Sequence, residues 1–488
     1  MHILSIAPVF LPLSPRLKYA GTERVIAGLN EHYSQHRGVK SIVAATGDSD
    51  LGGKGRLIYT YPQALWSLGA HIRKVTNPEA LFERQFIFCM EFMEKRPADI
   101  IHDHAGFAAS NTYSESDLRI PVVSTIHGDV YKPEMYKYVQ WKRMQDAGRN
   151  VHFVAISRSQ KRKFEQKIGL RFAGVVHNGV PVESYPFVDS SGKHDYLFWL
   201  GRICNEKGTD LAIKLAKVTG RPLIIAGEVH TINKHFYERK VRPHITRFLE
   251  GRSFKQQERS RQEFIAKLER GEQVVKYGEI IFIGPVDDRQ KQALYSRAYC
   301  QIVLNRWEEP FGLIMPEAMA TGTPVLGTRL GSIPEIVKHK ATGFVLPATK
   351  DRRGRLKEDL LIGRAVKALE KVPQIKPRDC RARVEKFFSN SAMAKGYLKL
   401  FRSIIKNAGA KGAEWTASGG TTMASTSTAQ DSPITTGTSP ATASSQASSW
   451  RTTRSSTTSS FSPPKSKAQK RTRSLAKSRE RSSTSTRR

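Results

Sequence analysis

What most constrains this 488-residue chain is a pair of series in which short apolar runs alternate with helical patterns. In the first, Ile3 to Ala7, Ser41 to Ala44, Ile100 to His102, Val122 to Ile126 and Val151 to Ile156 read as strands. Several are apolar at consecutive positions, as strands covered on both faces of a parallel sheet must be. The second series opens near Tyr196. It contains Tyr196 to Leu200, Pro222 to Ala226, Ile280 to Ile283, Gln301 to Leu304 and Pro324 to Gly327, with helices such as Asp210 to Lys217 and Asp288 to Tyr295 between them. Alternation of this kind predicts two doubly wound α/β domains in succession. Ser184 to Asp195, carrying Pro186 and Gly192, reads as the linker.

The expected organisation is a Rossmann-like domain over residues 1–185, a second over 186–375, helices over 376–408 and a disordered tail over 409–488. Val384, Phe387, Phe388, Met393, Tyr397, Leu400, Phe401 and Ile404 give Arg383 to Lys406 an amphipathic helical pattern. Beyond Ala410 the composition falls to Ser, Thr, Ala, Pro and Arg, with too few apolar side chains to form a core. From 236 to 276 the chain is dense in Lys, Arg, Gln and Glu. The reading there is an inserted, solvated helical hairpin; an acceptor-side or membrane-surface feature is the alternative.

The formal charge of +35, from 79 basic and 44 acidic residues, suits nucleoside diphosphates, acidic membrane surfaces or nucleic acid. From Lys411 onward there are 13 basic and 3 acidic residues, so +10 belongs to the tail and about +25 to the folded part. Cys89, Cys204, Cys300 and Cys380 lie far apart without a C-x-x-C pair, which indicates neither a zinc site nor a disulfide framework and fits a reducing cytoplasm. No apolar run approaches the roughly 18 residues that span a bilayer, so membrane contact would be peripheral.

The chemistry concentrates in Glu309-Pro-Phe-Gly-Leu-Ile-Met-Pro-Glu317. Pro316 suits the first position of a short helix, Pro316 to Thr321, which Gly322-Thr323-Pro324 ends. Glu317 then lies in the first turn, where a carboxylate can hold a hydroxyl pair, and Gly312 lets the backbone approach a ligand. Arg202 and Lys207 follow the strand Tyr196 to Leu200 and can neutralise a departing diphosphate. Gly21, opening a helical stretch after the first strand, fits a turn whose N–H groups approach phosphate. Taken singly, each of these has an ordinary reading as a surface charge, a cap or a loop residue.

Together with Gly331-Ser-Ile-Pro-Glu-Ile-Val337 and Thr342-Gly-Phe344, the segment Glu309 to Val325 resembles the donor-site signature of retaining GT-B glycosyltransferases of family GT4. The resemblance runs over roughly residues 1–405. It takes in Gly21-Thr22-Glu23-Arg24-Val25, His102-Asp103-His104, Thr125-Ile126-His127-Gly128, Ala155-Ile156-Ser157, His177-Asn178-Gly179-Val180, Gly201-Arg202 with Lys207-Gly208, and Phe282-Ile283-Gly284.

It implies a GT-B fold, two Rossmann-like domains facing a cleft, with the final helix crossing back to the first domain. The implied reaction moves a hexosyl group from a nucleoside-diphosphate sugar, UDP-hexose or GDP-mannose, to a saccharide or lipid-linked acceptor with retention of configuration. No catalytic metal, other cofactor or nucleic acid partner is expected. By the same resemblance Arg202 and Lys207 hold the diphosphate, Glu309 contacts sugar hydroxyls, and His127 lines the reaction centre. Gly21, Thr22, Phe311, Gly312 and Leu313 offer backbone donors, Glu317 holds the ribose, and Val286 lies by the base with Gly284 and Pro285. Ala20 departs from the paired glycines usual at that loop, where Arg16 and Lys18 add positive charge. His102-Asp103-His104 reads as acceptor-side lining or structural, and Asp287-Asp288 is not a D-x-D metal motif. A nucleotide-sugar epimerase or phosphorylase on this fold, and a non-catalytic polyanion-binding protein, are the rival classes.

Overall fold

The computed structural model describes residues 1–14, 21–67, 78–130, 135–249 and 254–418. The first seven strands are β1 (His2–Ile6), β2 (Lys40–Ala45), β3 (Arg56–Tyr59), β4 (Ile100–Asp103), β5 (Val122–Ile126), β6 (Val151–Ala155) and β7 (Phe172–Val175). They form one sheet in the order β3-β2-β1-β4-β5-β6-β7. A second sheet, ordered β10-β11-β9-β8-β12-β13-β14, contains β8 (Leu197–Leu200), β9 (Leu223–Ala226), β10 (Arg247–Phe248), β11 (Ile280–Gly284), β12 (Cys300–Val303), β13 (Val325–Thr328) and β14 (Gly343–Leu346). Neighbouring strands are parallel throughout.

Strand order reverses between β1 and β4 in the first sheet and between β8 and β12 in the second. In a doubly wound sheet such a switch point opens a crevice beyond the carboxyl ends of the strands, because the crossovers leave on opposite faces. Gly21, His104 and His127 follow the first sheet's central strands. Gly201, Arg202 and the loop Leu304 to Leu313 follow the second's.

The interior strands β5 and β11 are buried at every position, as their sequences require. The helix Asn390–Ser418 returns to the first sheet. There Met393, Tyr397, Leu398, Phe401 and Ile404 pack with Ile3, Val25, Leu29, Tyr33, Ile100, Val123 and Val154. No helix among the described residues is long and apolar enough to cross a membrane.

Three expectations change. The helix Asn390–Ser418 runs ten residues into the stretch read as tail, where Ala410, Lys411, Ala413 and Glu414 favour helix; 419–488 lie outside the described residues. The charged stretch 236–276 is not a hairpin of two helices. It contains short helical turns up to His244, the edge strand β10 and one helix, Phe254–Glu269, whose Phe264, Ile265 and Leu268 join the core of the second sheet. Strands β3, β7, β10 and β14 were not expected; β3, β7 and β10 are sheet edges, only two to four residues long and in large part not buried, so they lack the burial on both faces that marks the interior strands.

Candidate active site

A cavity of about 390 Å³ lies between the two sheets' switch points. Gly21 and Arg24 contribute from the first half, with Arg202, Val286, Leu313 and Glu317 from the second. Gly21 and Arg24 are there because helix Gly21–Gln35 begins at the crevice after β1. Leu313 packs against the cores of both halves, which fixes the loop Glu309 to Leu313 beside the cavity. Thr22, Lys207, Glu309, Phe311, Gly312 and His127 are not part of this cavity's lining. The loop residues Arg16, Lys18 and Ala20 lie outside the described residues.

That loop is set by backbone bonds. Ser332 donates its N–H to Glu309 O (2.9 Å) and its hydroxyl to Phe311 O (2.7 Å). Gly331 has φ 58°, and a Cβ there would sit 2.3 Å from Glu309 O, so only glycine fits. Gly312, at φ 82°, makes the turn into helix Ile314–Ala320. The helix starts two residues before the expected Pro316. The proline is tolerated at its third position because the first four helical N–H groups have no intrahelical partner. Glu317 remains in the first turn.

Glu309 is 8 % exposed. Its Oε2 accepts from Lys207 Nζ at 2.5 Å and from Asn305 Nδ2 at 3.0 Å. Lys207 also stands over the Trp307 ring, 4.8 Å from its centroid. The structure therefore joins two residues 102 positions apart in sequence into one charge-assisted pair next to the cavity. Arg202 is exposed and lines the cavity.

Glu317, 2 % exposed, lies at the centre of a second network. Its Oε1 accepts from Arg24 Nη1 (2.9 Å) and Lys291 Nζ (2.8 Å), and its Oε2 from the Tyr295 hydroxyl (3.2 Å). Asp288 sits 3.4 Å from Arg24 and 2.9 Å from Lys291. Burial by itself would push the Glu317 carboxyl up, but Lys291 and Arg24 outweigh it and hold it down at about 2. Sequence reasoning gave Arg24 and Lys291 no role. Arg24 stood in a quoted motif, and Lys291 is three and four residues before the apolar Leu294 and Tyr295 on a recognised helix, which puts it on the inward face. Asp287 is the N-cap of helix Asp288–Arg297, in a capping box with Gln290.

His127 follows β5 and meets His104, which follows the adjacent β4, through Nε2···Nδ1 at 2.8 Å. Burial lowers His127 to about 4 and His104 well below the ordinary range, so both rings are neutral near pH 7. His102 lies deeper, bonded through its ring nitrogens to Tyr33 and Thr125. Asp103 accepts the backbone N–H groups of Ala105, Gly106, Phe107 and Ala108 and the Ser124 hydroxyl, a structural role that leaves it no part in the cleft.

Known proteins match along most of the described chain. Residues 19–184 fit the profile of Glycosyltransferase Family 4, and residues 186–360 that of Glycosyl transferases group 1. YtcC of Bacillus subtilis, named as a glycosyltransferase, is 24% identical over 315 residues, 63% of this chain and 73% of its own. N-acetyl-alpha-D-glucosaminyl L-malate synthase of Bacillus anthracis is 38% identical over 66 residues, 14% of this chain; the match spans only 16% of that enzyme's length. The crystal structure of HepE from Anabaena in complex with UDP-glucose superposes with a TM-score of 0.54 at 17% identity, covering 83% of this chain and all of that one, 100%. Two parallel sheets with this order and this superposition make the fold GT-B. The chain belongs to the group 1, family 4 glycosyltransferases.

Proposed function

We propose that this glycosyltransferase moves a hexosyl group from a nucleoside-diphosphate sugar to a saccharide or lipid-linked acceptor, with retention of configuration. The observation that carries the reading is the cavity between the switch points, where Gly21, Arg202, Val286, Leu313 and Glu317 converge beside the Lys207–Glu309 pair. The complex of HepE with UDP-glucose, on the same fold, supports a nucleotide sugar as the occupant.

In this reading the base lies against Pro285 and Val286, the ribose reaches Glu317, and the diphosphate meets Arg202, Lys207 and the N–H groups of Gly21 and Thr22. The backbone of Phe311 to Leu313 faces the sugar and diphosphate. As the glycosidic bond to the diphosphate lengthens, negative charge grows on the leaving oxygen and positive charge at the anomeric carbon. Arg202 and Lys207 answer the first. Glu309, fixed by Lys207 and Asn305, contacts a sugar hydroxyl and adds negative potential near the second. His127, neutral because it is buried, lines the centre without opposing the developing cation. The acceptor hydroxyl attacks from the face the diphosphate leaves, and the departing phosphate oxygen takes its proton. No step is assigned to a metal ion.

The test is calorimetric titration with UDP, GDP, ADP and their sugar conjugates, followed by transfer assays that read the anomeric configuration of the product. Selective nucleotide binding and a retained configuration are expected. Glu309→Ala should lower kcat by about 10²-fold or more with little change in KM, as loss of a group that acts in the transition state does. Absence of binding to every nucleotide, or an inverted product, rejects the reading.

A further inference from the structure

We propose that Arg261 reads the donor's nucleobase and selects a base with a ring carbonyl, as uracil and guanine have, over adenine. The proposal rests on the donor-site reading above and names the class of nucleotide that site takes.

Arg261 belongs to helix Phe254–Glu269, the long helix of the charged stretch between β10 and β11. With Glu258 it lines the cavity alongside Pro285, Val286 and Gln290. Its Nη1 lies against the turn that carries the base: an ideal Cβ on Gly284 would be 3.2 Å from it. The side chain is 7 % exposed, so this is a buried guanidinium in the wall of a ligand cavity. Its Nη2 donates to Glu258 Oε2 at 2.6 Å, while Nε has no partner among the described residues.

Its position is also fixed. Asp287 and Gln290 bond each other reciprocally in the capping box at 2.9 and 3.1 Å. Gln290 Nε2 then donates to Glu258 Oε1 at 3.1 Å, and Glu258 holds Arg261. The chain of bonds starts at the residue after Val286, so the base-binding turn and the guanidinium share one frame. A ligand group meeting Arg261 does not have to order it first, which lowers the cost of binding.

A guanidinium donates hydrogen bonds and cannot accept one. A ring carbonyl completes it with a charge-assisted bond. The exocyclic amine that adenine carries where guanine has its carbonyl is itself a donor, so at that position the bond is lost and donor faces donor. Sites built on such a bond reject the analogue lacking it far more strongly than an apolar wall rejects a change of shape.

The experiment compares full-length wild type, Arg261→Met and the double variant Glu258→Gln with Arg261→Met, which leaves no carboxylate without its cation. Dissociation constants for UDP, GDP and ADP are measured by calorimetry, with the ligand-free melting temperature as the control for folding. Wild type should prefer UDP or GDP to ADP by about tenfold or more, and both variants should bring the two classes within about threefold, UDP and GDP losing affinity as the bond goes and ADP gaining as the opposed donor goes. Selectivity preserved in the double variant, or a wild-type preference for ADP, overturns the inference and leaves the nucleotide site standing. Failure of wild type to bind any of the three overturns the donor-site reading and the inference with it.

Discussion

Glu317 keeps its charge inside the protein because two cations and a hydroxyl surround it, so substitutions there act on stability as well as on binding. Glu317→Ala leaves Arg24 and Lys291 facing a gap, and removing one partner of a buried ionic cluster costs about 3–5 kcal/mol. Glu317→Gln, of nearly the same shape, separates the two effects better: it should weaken nucleotide binding in a protein that still folds. The carboxyl titrates at about 2 in the folded protein against 4.5 as the reference value. The depressed value means that the unfolded chain takes up the proton first. The stabilisation is therefore complete above about pH 4.5 and is lost as pH falls toward 2. Denaturation midpoints between pH 5 and 3 should fall more steeply in wild type than in Glu317→Gln; equal slopes would show that the cluster contributes little to acid stability. Glu309 and Glu317 were legible in sequence because a proline, a glycine turn and a helix start surround them. Arg24 was not, because its bond to Glu317 spans 293 positions, and only the closed sheets bring them together.

At the scale of elements, the helix Asn390–Ser418 is chemically part of the first half although it ends the described chain. Phe401 is fully buried among Tyr33, His102 and Tyr397, with ring centroids at 6.1, 5.1 and 5.7 Å. The Tyr397 hydroxyl bonds Thr125 on β5 at 2.9 Å. Phe401→Ala should therefore destabilise the fold by about 3–5 kcal/mol, the usual cost of an aromatic cavity, read from urea or guanidinium midpoints. A change below about 1 kcal/mol would mean that the helix is docked loosely. The helix was readable from its apolar spacing, since Phe401 and Ile404 recur on the face begun by Met393 and Tyr397. The charged stretch was misread for the converse reason. Helix Phe254–Glu269 is polar along most of its length, and the apolar side chains it buries among those described, Phe264, Ile265 and Leu268, lie toward its end, so composition spoke for a solvated hairpin. The interior strands announced themselves through continuous burial, whereas edges such as β3 and β10, wet on one side, carry no such run.

Across the whole molecule, the two halves meet through a few specific bonds around the cleft. Glu335 of the second half accepts the N–H groups of Arg158 and Ser159, at 2.8 and 2.6 Å, where a helix of the first half begins. Lys163 reaches Glu308 at 3.0 Å. Arg24 is the bond of this kind inside the cavity, and it occupies the carboxylate assigned to the ribose. A carboxylate offers about four acceptor positions, and Glu317 already uses three. A ribose hydroxyl pair needs two, so one present bond must yield. Arg24 is the more exposed of the two cations, at 16 % against 7 % for Lys291, and it comes from the opposite half. The Arg24 bridge and the nucleotide should then compete, and Arg24→Met should tighten UDP binding by about two- to fivefold, the scale of a partly exposed ion pair. The ligand-free melting temperature should fall by a few degrees in the same variant, because a bond between the halves is gone while Lys291 still pairs Glu317. Calorimetry at two salt concentrations checks the direction. A gain that shrinks at high salt, where the wild-type bridge is itself weakened by screening, marks competition for Glu317. Weaker binding in the variant would mean instead that Arg24 stays in place and holds the nucleotide directly, so that closure of the two halves and donor binding reinforce each other.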